Sequence, residues 1–446
     1  MAMYKADYPA GSNTICEHDP VVLEGVLADL ISRIIRDNSI AEHDLKGISI
    51  CGHGPSVVFI DAEGNPLSKI ITWQDKRAEQ EAGYLRENYR DFSRDGTSYE
   101  AKILWFFRNW PDLFKSGNTV LYPKDYILFK LTGNRIIDRS AASTTLFYNV
   151  DSNTWVPDQP DLPIDILPEV VNSWEQIGET GGAFSRGCNL SSGIPVFAGG
   201  IDAYCEAVGA GAVEPGYLVD GTGTSTCISR CCSERAGLDL HVIPARSLKI
   251  EMMSASGLSV DWILALFSES LDFLETLDPD TPAKLLFLPY LVGERSPHWD
   301  EKARGAFIGL TVNTDRNEAV KAVLQGVAFG IKENLLRLGQ GSDREDESVR
   351  AVGGGANSRV WLKLKANVTG KIYKKMKVID SAALGALILA ALGNREGEPA
   401  ELVNTWVKVE ECYYPDKKPA YETLFKIYSR SYPDLKEIFD GLYAIN

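Results

Sequence analysis

Two glycine-rich turns, one carrying a carboxylate and the other hydroxyls, constrain this chain more than any other feature. The first, GGIDAYCEAVGAG, sets Asp202 after a short apolar run (Ile194–Ala198) and the pair Gly199-Gly200. That order predicts a carboxylate at a strand end with open backbone beside it. The second, VDGTGTSTC, predicts a strand over Tyr217–Val219 that breaks at Gly221 and Gly223, with Thr222, Thr224 and Ser225 interleaved. Glycines let main-chain N–H groups approach a phosphate, and hydroxyls add donors. A fixed carboxylate beside a phosphate cradle is what phosphoryl transfer to an alcohol requires. Each turn taken alone fits a plain structural role equally well.

The 446 residues exceed what one ordinary core accommodates, so two domains are expected. Hydrophobic content of 44% with 24% charged residues fits a soluble globular chain. The N-terminus MAMYKADYPAG has no signal-peptide core, and no apolar run reaches the length of a membrane span. Eight cysteines are scattered without metal-ligand spacing. Cys51, Cys205 and Cys227 sit in apolar or glycine-flanked segments, which predicts buried free thiols in a reducing cytoplasm. A net charge of −15 disfavours nucleic acid and anionic membranes as partners. Such a chain can still bind a nucleotide through backbone amides and a divalent cation.

Strand and helix patterns alternate along the chain. Asp19-Pro20 predicts a helix through Arg36, apolar on one face. Gly47–Ile60 predicts two strand segments meeting around GHGPS, and Asp75–Tyr89 a polar-faced helix. Residues 110–200 are punctuated by Pro and Gly and suggest a more irregular insert. Farther on, Asp315 caps a helix over Glu318–Leu338. Strand Val349–Val352 runs into Gly353-Gly354-Gly355 and a helix over Ser358–Val368, and Asp380 caps Ser381–Leu392. The expected boundary lies near residues 205–215, giving α/β domains over 1–211 and 212–446.

Longer segments resemble the FGGY carbohydrate kinases in collinear order. FLPYLVGERSPHWDEKARGAFIGLT (287–311) resembles their C-terminal signature, and VRAVGGGANSRVWLKLKANVTG (349–370) their adenosine-binding turn and helix. IDSAALGALILAALG (379–393) resembles the helix that closes the nucleotide pocket, with Asp380 where Glu is usual. GISICGHGPSVVFIDAEGNPL and ITWQDKRA (47–78) are similar to the sugar-binding strands, and YPKDYILFKLTGNRIIDRSAASTT (122–145) to the lid-side segment. The tail, residues 413–436, is similar to the xylulokinase-like branch.

The resemblance implies an actin-like, hexokinase-type (ribonuclease H-like) α/β fold of two domains, closing over sugar and ATP in an interdomain cleft. By position, Asp202 is the general base, with an indirect role toward Mg²⁺. Gly223 and Thr224 would hold the β- and γ-phosphates, Gly309 would line the phosphate path, and Gly354 and Ser358 would contact the adenosine. Trp73, Asp75 and Arg77 resemble the WxDxR element that surrounds a polyol, although a solvated turn at the head of a helix fits the same residues. His53 lies in GHGPS, where the turn resembles those of L-xylulose and erythritol kinase relatives; a lone loop histidine serves a structural role as readily. The Arg-Glu pair of glycerol kinases is absent from this strand. The implied activity is ATP-dependent transfer of a γ-phosphate to a ketopentose or related polyol, xylulose-like, in the cytoplasm, by a chain for which a homodimer is compatible.

One departure from the family stands out. MYKADYPAGSNTICEHDP looks like the segment that follows the family's strand–DxGT–strand hairpin, with EHDP resembling EQDP. The expectation is that the hairpin, and a carboxylate that helps place Mg²⁺, lie outside this sequence, through a misassigned start, a truncation or a real loss of activity. The alternative function is a catalytically impaired sugar- or nucleotide-binding protein of kinase ancestry. A polymerising actin-like scaffold leaves WQDKR and GERSP without a task.

Overall fold

The computed structural model describes residues 15–41, 44–89, 92, 94–156, 164–233, 239–340, 347–378, 380–416 and 418–445. The segment MYKADYPAGSNT, on which the expectation about the missing hairpin turns, lies outside them. The chain forms two compact units. The first comprises Met1–Cys205, Asp239–Pro244 and Gly385–Leu402, and the second Glu206–Leu238, Ala245–Leu384 and Val403–Asn446. The division falls inside the helix Asp202–Gly209 rather than at 211/212, and two later segments return to the first unit. Packing explains the second return. A Cβ at Gly385 would stand 1.9 Å from the carbonyl oxygen of Cys205, so the helix Ser381–Gly393 lies against that backbone.

In the first unit, Pro195–Ile201 is the middle strand of a three-stranded sheet, antiparallel to Gln176–Glu179 and parallel to Ile48–Gly52. The helix Pro20–Asp37 begins where Asp19 accepts hydrogen bonds from the amides of Val21 and Val22. Its Leu23, Leu27, Ile31 and Ile35 pack on a core of Val58, Ile60, Leu121, Ile127, Leu128 and Val196. The helix expected from Asp75 starts at Glu79. Asp75 turns its carboxylate inward, toward the amide of Cys16 and the side chain of Arg77, so Asp75–Ala78 cannot continue the helical ladder. The stretch expected to be irregular contains the helix Pro123–Thr132, ended by Gly133 in a left-handed conformation.

The second unit is built on a six-stranded sheet. Its order is Arg246–Met253, Thr226–Ser233, Leu218–Thr222, Ser348–Val352, Ile372–Met376 and Val409–Tyr413. The Leu218–Thr222, Ser348–Val352 and Ile372–Met376 strands run parallel, flanked by antiparallel partners on both sides. The Leu218 strand does not break at Gly221: it pairs through Thr222 with Thr226. Glycine is needed there for room, because Glu206 Oε1 lies 1.8 Å from where a Cβ would stand. The helix Arg316–Gly339 is capped by Asp315, whose carboxylate accepts from the amide of Glu318. Val323, Val327 and Phe329 of that helix lie in one core with Leu286, Phe287, Trp361 and Leu364.

Candidate active site

In the first unit the parallel strands Ile48–Gly52 and Pro195–Ile201 end side by side, with Cys51 opposite Gly200 and Gly52 opposite Ile201. Loops leaving the carboxyl ends of neighbouring parallel strands are where α/β folds place ligands. One strand leads into His53 and the other into Asp202. A bulge between Phe197 and Gly200 re-aims the second strand just before Asp202. Gly199 makes the bulge feasible, with φ +64 and the Ile50 carbonyl oxygen 1.9 Å from its absent Cβ. Asp202 then opens the helix Asp202–Gly209, its Oδ1 accepting from the Ala203 amide at 2.7 Å. The side chain keeps solvent access, while burial among surrounding protein raises its carboxyl above the ordinary range, against the pull of that amide.

His53 is held by a 2.7 Å hydrogen bond between Nδ1 and Ser56 Oγ, and its ring centroid lies 6.1 Å from that of His18. Burial, together with His18 and Lys102, lowers its pKa to about 4, so the ring is neutral at pH 7. The next residue, Gly54, abuts Ile201: a Cβ there would meet the Ile201 side chain at 3.2 Å. The His53 loop and the Asp202 strand end are therefore neighbours.

The WQDKR element is tied to the same loop through the short strand Glu17–His18, which pairs with Ile70–Ile71. Arg77 Nη2 reaches Glu17 Oε1 at 2.6 Å and Asp75 Oδ2 at 2.7 Å, with its guanidinium over the Trp105 ring. Asp75 has no exposed surface, and both its oxygens are taken, by Arg77 and by the Cys16 amide at 2.7 Å. It is placed to position Arg77 rather than to meet a sugar itself. Trp73 and Arg77 are only partly buried.

Lys102 went unnoticed in the sequence, where it sits in the apolar run AKILWFF. Its buried Nζ donates to the carbonyls of Pro55 and Thr97, both at 2.7 Å, and so holds the His53 loop. Burial pushes its pKa down to about 7, against the attraction of Asp75 and Asp95.

In the second unit the strands Leu218–Thr222 and Thr226–Ser233 are joined by Gly223, Thr224 and Ser225. The Gly223 N–H is taken by the Ser225 carbonyl at 2.8 Å, so Thr224 is the better placed donor and Gly223 contributes room. The amides of Gly257 and Leu258, at the start of the helix Gly257–Leu266, fix the turn through the carbonyls of Gly223 and Thr224, both at 3.0 Å. Beneath the turn, buried Lys365 donates to Asp220 at 2.8 Å and to Thr222 at 2.7 Å. Asp220 is thus committed to structure.

The Gly353-Gly354-Gly355 turn divides its tasks. Gly353 has φ +77, with Thr222 O 2.6 Å from its absent Cβ, and at Gly355 a Cβ would meet Thr222 Cγ2 at 2.6 Å. Gly354 is exposed and a Cβ there meets nothing within 4 Å, which leaves it the open face of the turn. Ser358 caps the helix Arg359–Thr369 by accepting from the Trp361 amide at 3.2 Å, and donates to Glu275 at 2.7 Å. Gly309, exposed with φ +96, follows the strand Ala306–Ile308. The acceptor-side residues expected from the sequence thus fall in the first unit and the nucleotide-side residues in the second.

Comparison with known proteins finds two family domains in the chain. Residues 3–209 match the N-terminal domain of the FGGY family of carbohydrate kinases and residues 221–393 the C-terminal domain. A xylulose kinase of Staphylococcus epidermidis is 30% identical over 436 residues, covering 93% of this chain and 88% of the relative. The xylulose kinase of Bacillus subtilis is 28% identical over 439 residues, with the same coverage of 93% and 88%. The crystal structure of xylulose kinase from Rhodospirillum rubrum superposes with a TM-score of 0.85 at 26% identity, over 98% of this chain and 93% of that one. With both family domains matched in order on an actin-like α/β framework, the chain belongs to the FGGY family of carbohydrate kinases.

Proposed function

We propose that this carbohydrate kinase transfers the γ-phosphate of ATP to a hydroxyl of a ketopentose or closely related polyol, xylulose-like in shape, with Asp202 as general base. The observation that carries the reading is the Asp202 carboxylate itself. It is exposed at the end of a parallel strand, and its Oδ1 accepts from the Ala203 amide of the helix it opens. Such a carboxylate can orient an alcohol and take its proton as the oxygen attacks phosphorus, and a raised pKa brings it nearer the basicity that task favours. His53, Trp73 and Arg77 would surround the remaining hydroxyls, with Asp75 and Lys102 fixing Arg77 and the His53 loop. Thr224 would donate to the phosphates, Gly223 and Gly309 would leave them room, and the open face of Gly354, near Ser358, would receive the adenosine.

Mg²⁺ fits this donor set. Among the described residues no group of three or more His, Cys, Asp or Glu side chains forms a protein cage. Mg²⁺ paired with a nucleotide ordinarily uses one or two carboxylates together with phosphate oxygens and water. Asp202 would be the protein's carboxylate toward the ion, directly or through water. When bound, the ion would neutralise charge on the phosphates. The eight free cysteines are compatible with a reducing cytoplasm.

Replacing Asp202 by Asn should lower kcat by a factor on the order of 10²–10⁴ while sugar and nucleotide affinities stay within about threefold. Coupled ADP-release kinetics and calorimetric titration of both ligands check this. Near-normal turnover in that variant would remove Asp202 from the role of base.

A further inference from the structure

Below the two strand ends lies a buried polar network that the reaction itself does not use. Lys124, 2% exposed, donates to Asp125 Oδ1 at 2.5 Å and pairs with Asp138 Oδ1 at 2.7 Å; both carboxylates are wholly buried. The Lys124 Nζ also lies 3.5 Å from the Ala198 carbonyl, and a Cβ at Gly52 would touch Lys124 Cβ at 3.0 Å. Asp138 Oδ2 accepts from Ser173 Oγ at 3.1 Å, and the Ser173 carbonyl accepts the Gly199 N–H at 2.8 Å. One charged cluster therefore reaches both ends of the Ala198–Gly199 peptide group, its carbonyl through the Lys124 ammonium and its N–H through Ser173.

Stability alone does not account for such a cluster. Well-packed apolar side chains of similar volume commonly match or exceed a buried ion pair. This one is also unbalanced, with two carboxylates sharing one ammonium. Burial holds the Asp125 carboxyl up at about 7 despite Lys124, while the two carboxylates keep the ammonium charged against its burial. What the polar atoms do, and apolar ones cannot, is hold backbone groups at a fixed place. Those groups belong to the bulge that turns Pro195–Ile201 and sets the direction of Asp202.

We propose that Lys124, Asp138 and Ser173 are positioning residues for Asp202, acting through the Ala198–Gly199 bulge. The inference rests on Asp202 being the base. Its test compares two hydroxyls on one acceptor oxygen. Ser173→Ala cuts the branch to the bulge. Ser140→Ala cuts the other branch, in which Ser140 Oγ donates to the same Asp138 Oδ2. Both serines are buried, so the losses of packing are alike.

Ser173→Ala should lower kcat about tenfold with KM for sugar and ATP within about twofold, since misplacement of a reacting group by a fraction of an ångström acts on the chemical step. Ser140→Ala should lower kcat no more than about twofold at a similar thermal midpoint. In an Asp202→Asn background Ser173→Ala should cost nothing further, because its effect passes through that carboxylate. Equal kcat in the two serine variants would overturn the proposal, and so would a full tenfold loss persisting in the Asp202→Asn background. Failure of the base assignment is seen separately, as an active Asp202→Asn single variant.

Discussion

Lys102 and His53 both titrate well below their ordinary values, and both serve the same loop. Lys102 lies in a helix that buries mostly apolar side chains, Glu100 apart, and its amine ends on two carbonyls that would be left unsatisfied without it. His53 is ordinarily half-protonated at pH 6.5 but here only near pH 4, chiefly through burial. Between those values the unfolded chain takes up a proton that the folded chain refuses. Stability is therefore fully present above pH 6.5, falls as pH drops towards 4, and loses nothing further from this group below that. The shift corresponds to roughly 3 kcal/mol. His298, also lowered to about 4 chiefly by burial, contributes over the same range. His53→Gln should therefore weaken, without abolishing, the loss of urea resistance between pH 7 and pH 4.5. An unaltered difference between the two midpoints would mean that His53 titrates normally in the folded protein.

At the scale of elements, the working parts are turns held from behind by helices and strands. The Gly223–Ser225 turn is anchored by the first amides of Gly257–Leu266, and the Gly353–Gly355 turn packs on Thr222 of the neighbouring strand. Adjacent glycines should consequently respond in opposite ways. Gly353→Ala forces a side chain to φ +77 and into Thr222 O, and should cost about 1–3 kcal/mol in denaturant unfolding. Gly354→Val enters open space, so stability should change by less than about 0.5 kcal/mol. Its branched side chain would nonetheless occupy the face assigned to adenosine, weakening nucleotide binding about tenfold or more, roughly 1.4 kcal/mol, with sugar binding retained. Calorimetry with both ligands, beside urea melts, reads all four quantities. Equal loss of both ligands in Gly354→Val would contradict the assignment of that turn.

For the molecule as a whole, the polar residues proposed for the acceptor lie in one compact unit and the turns proposed for the nucleotide in the other. With Mg-ATP, a pentulose should be turned over with a kcat/KM at least about tenfold above that for glycerol, because glycerol leaves buried polar groups of the larger site unpaired. A steady-state screen of ketopentoses, tetritols, glycerol and aldohexoses measures the ratio; preference for glycerol or an aldohexose would overturn the substrate class.

Much of this was legible in the sequence. Hydrophobic period and capping residues located the helices after Asp19 and Asp315, since a cap acts within a few residues of itself. The strand ends at Asp202 and Gly353 were equally local, because glycine marks where backbone must come close. The long collinear motifs fixed the family. Tertiary structure decided what no local pattern carries. It committed Asp75 to Arg77, seated Lys102 beneath Pro55, and kept the Leu218–Thr222 strand whole through Gly221 because Glu206 fills the space beside it. It also joined Lys124, Asp138 and Ser173 to the bulge before Asp202. Each of these depends on residues far apart in the chain meeting in a low-dielectric interior. A charged side chain there is settled by whichever partner the fold supplies, and the sequence around it names no such partner.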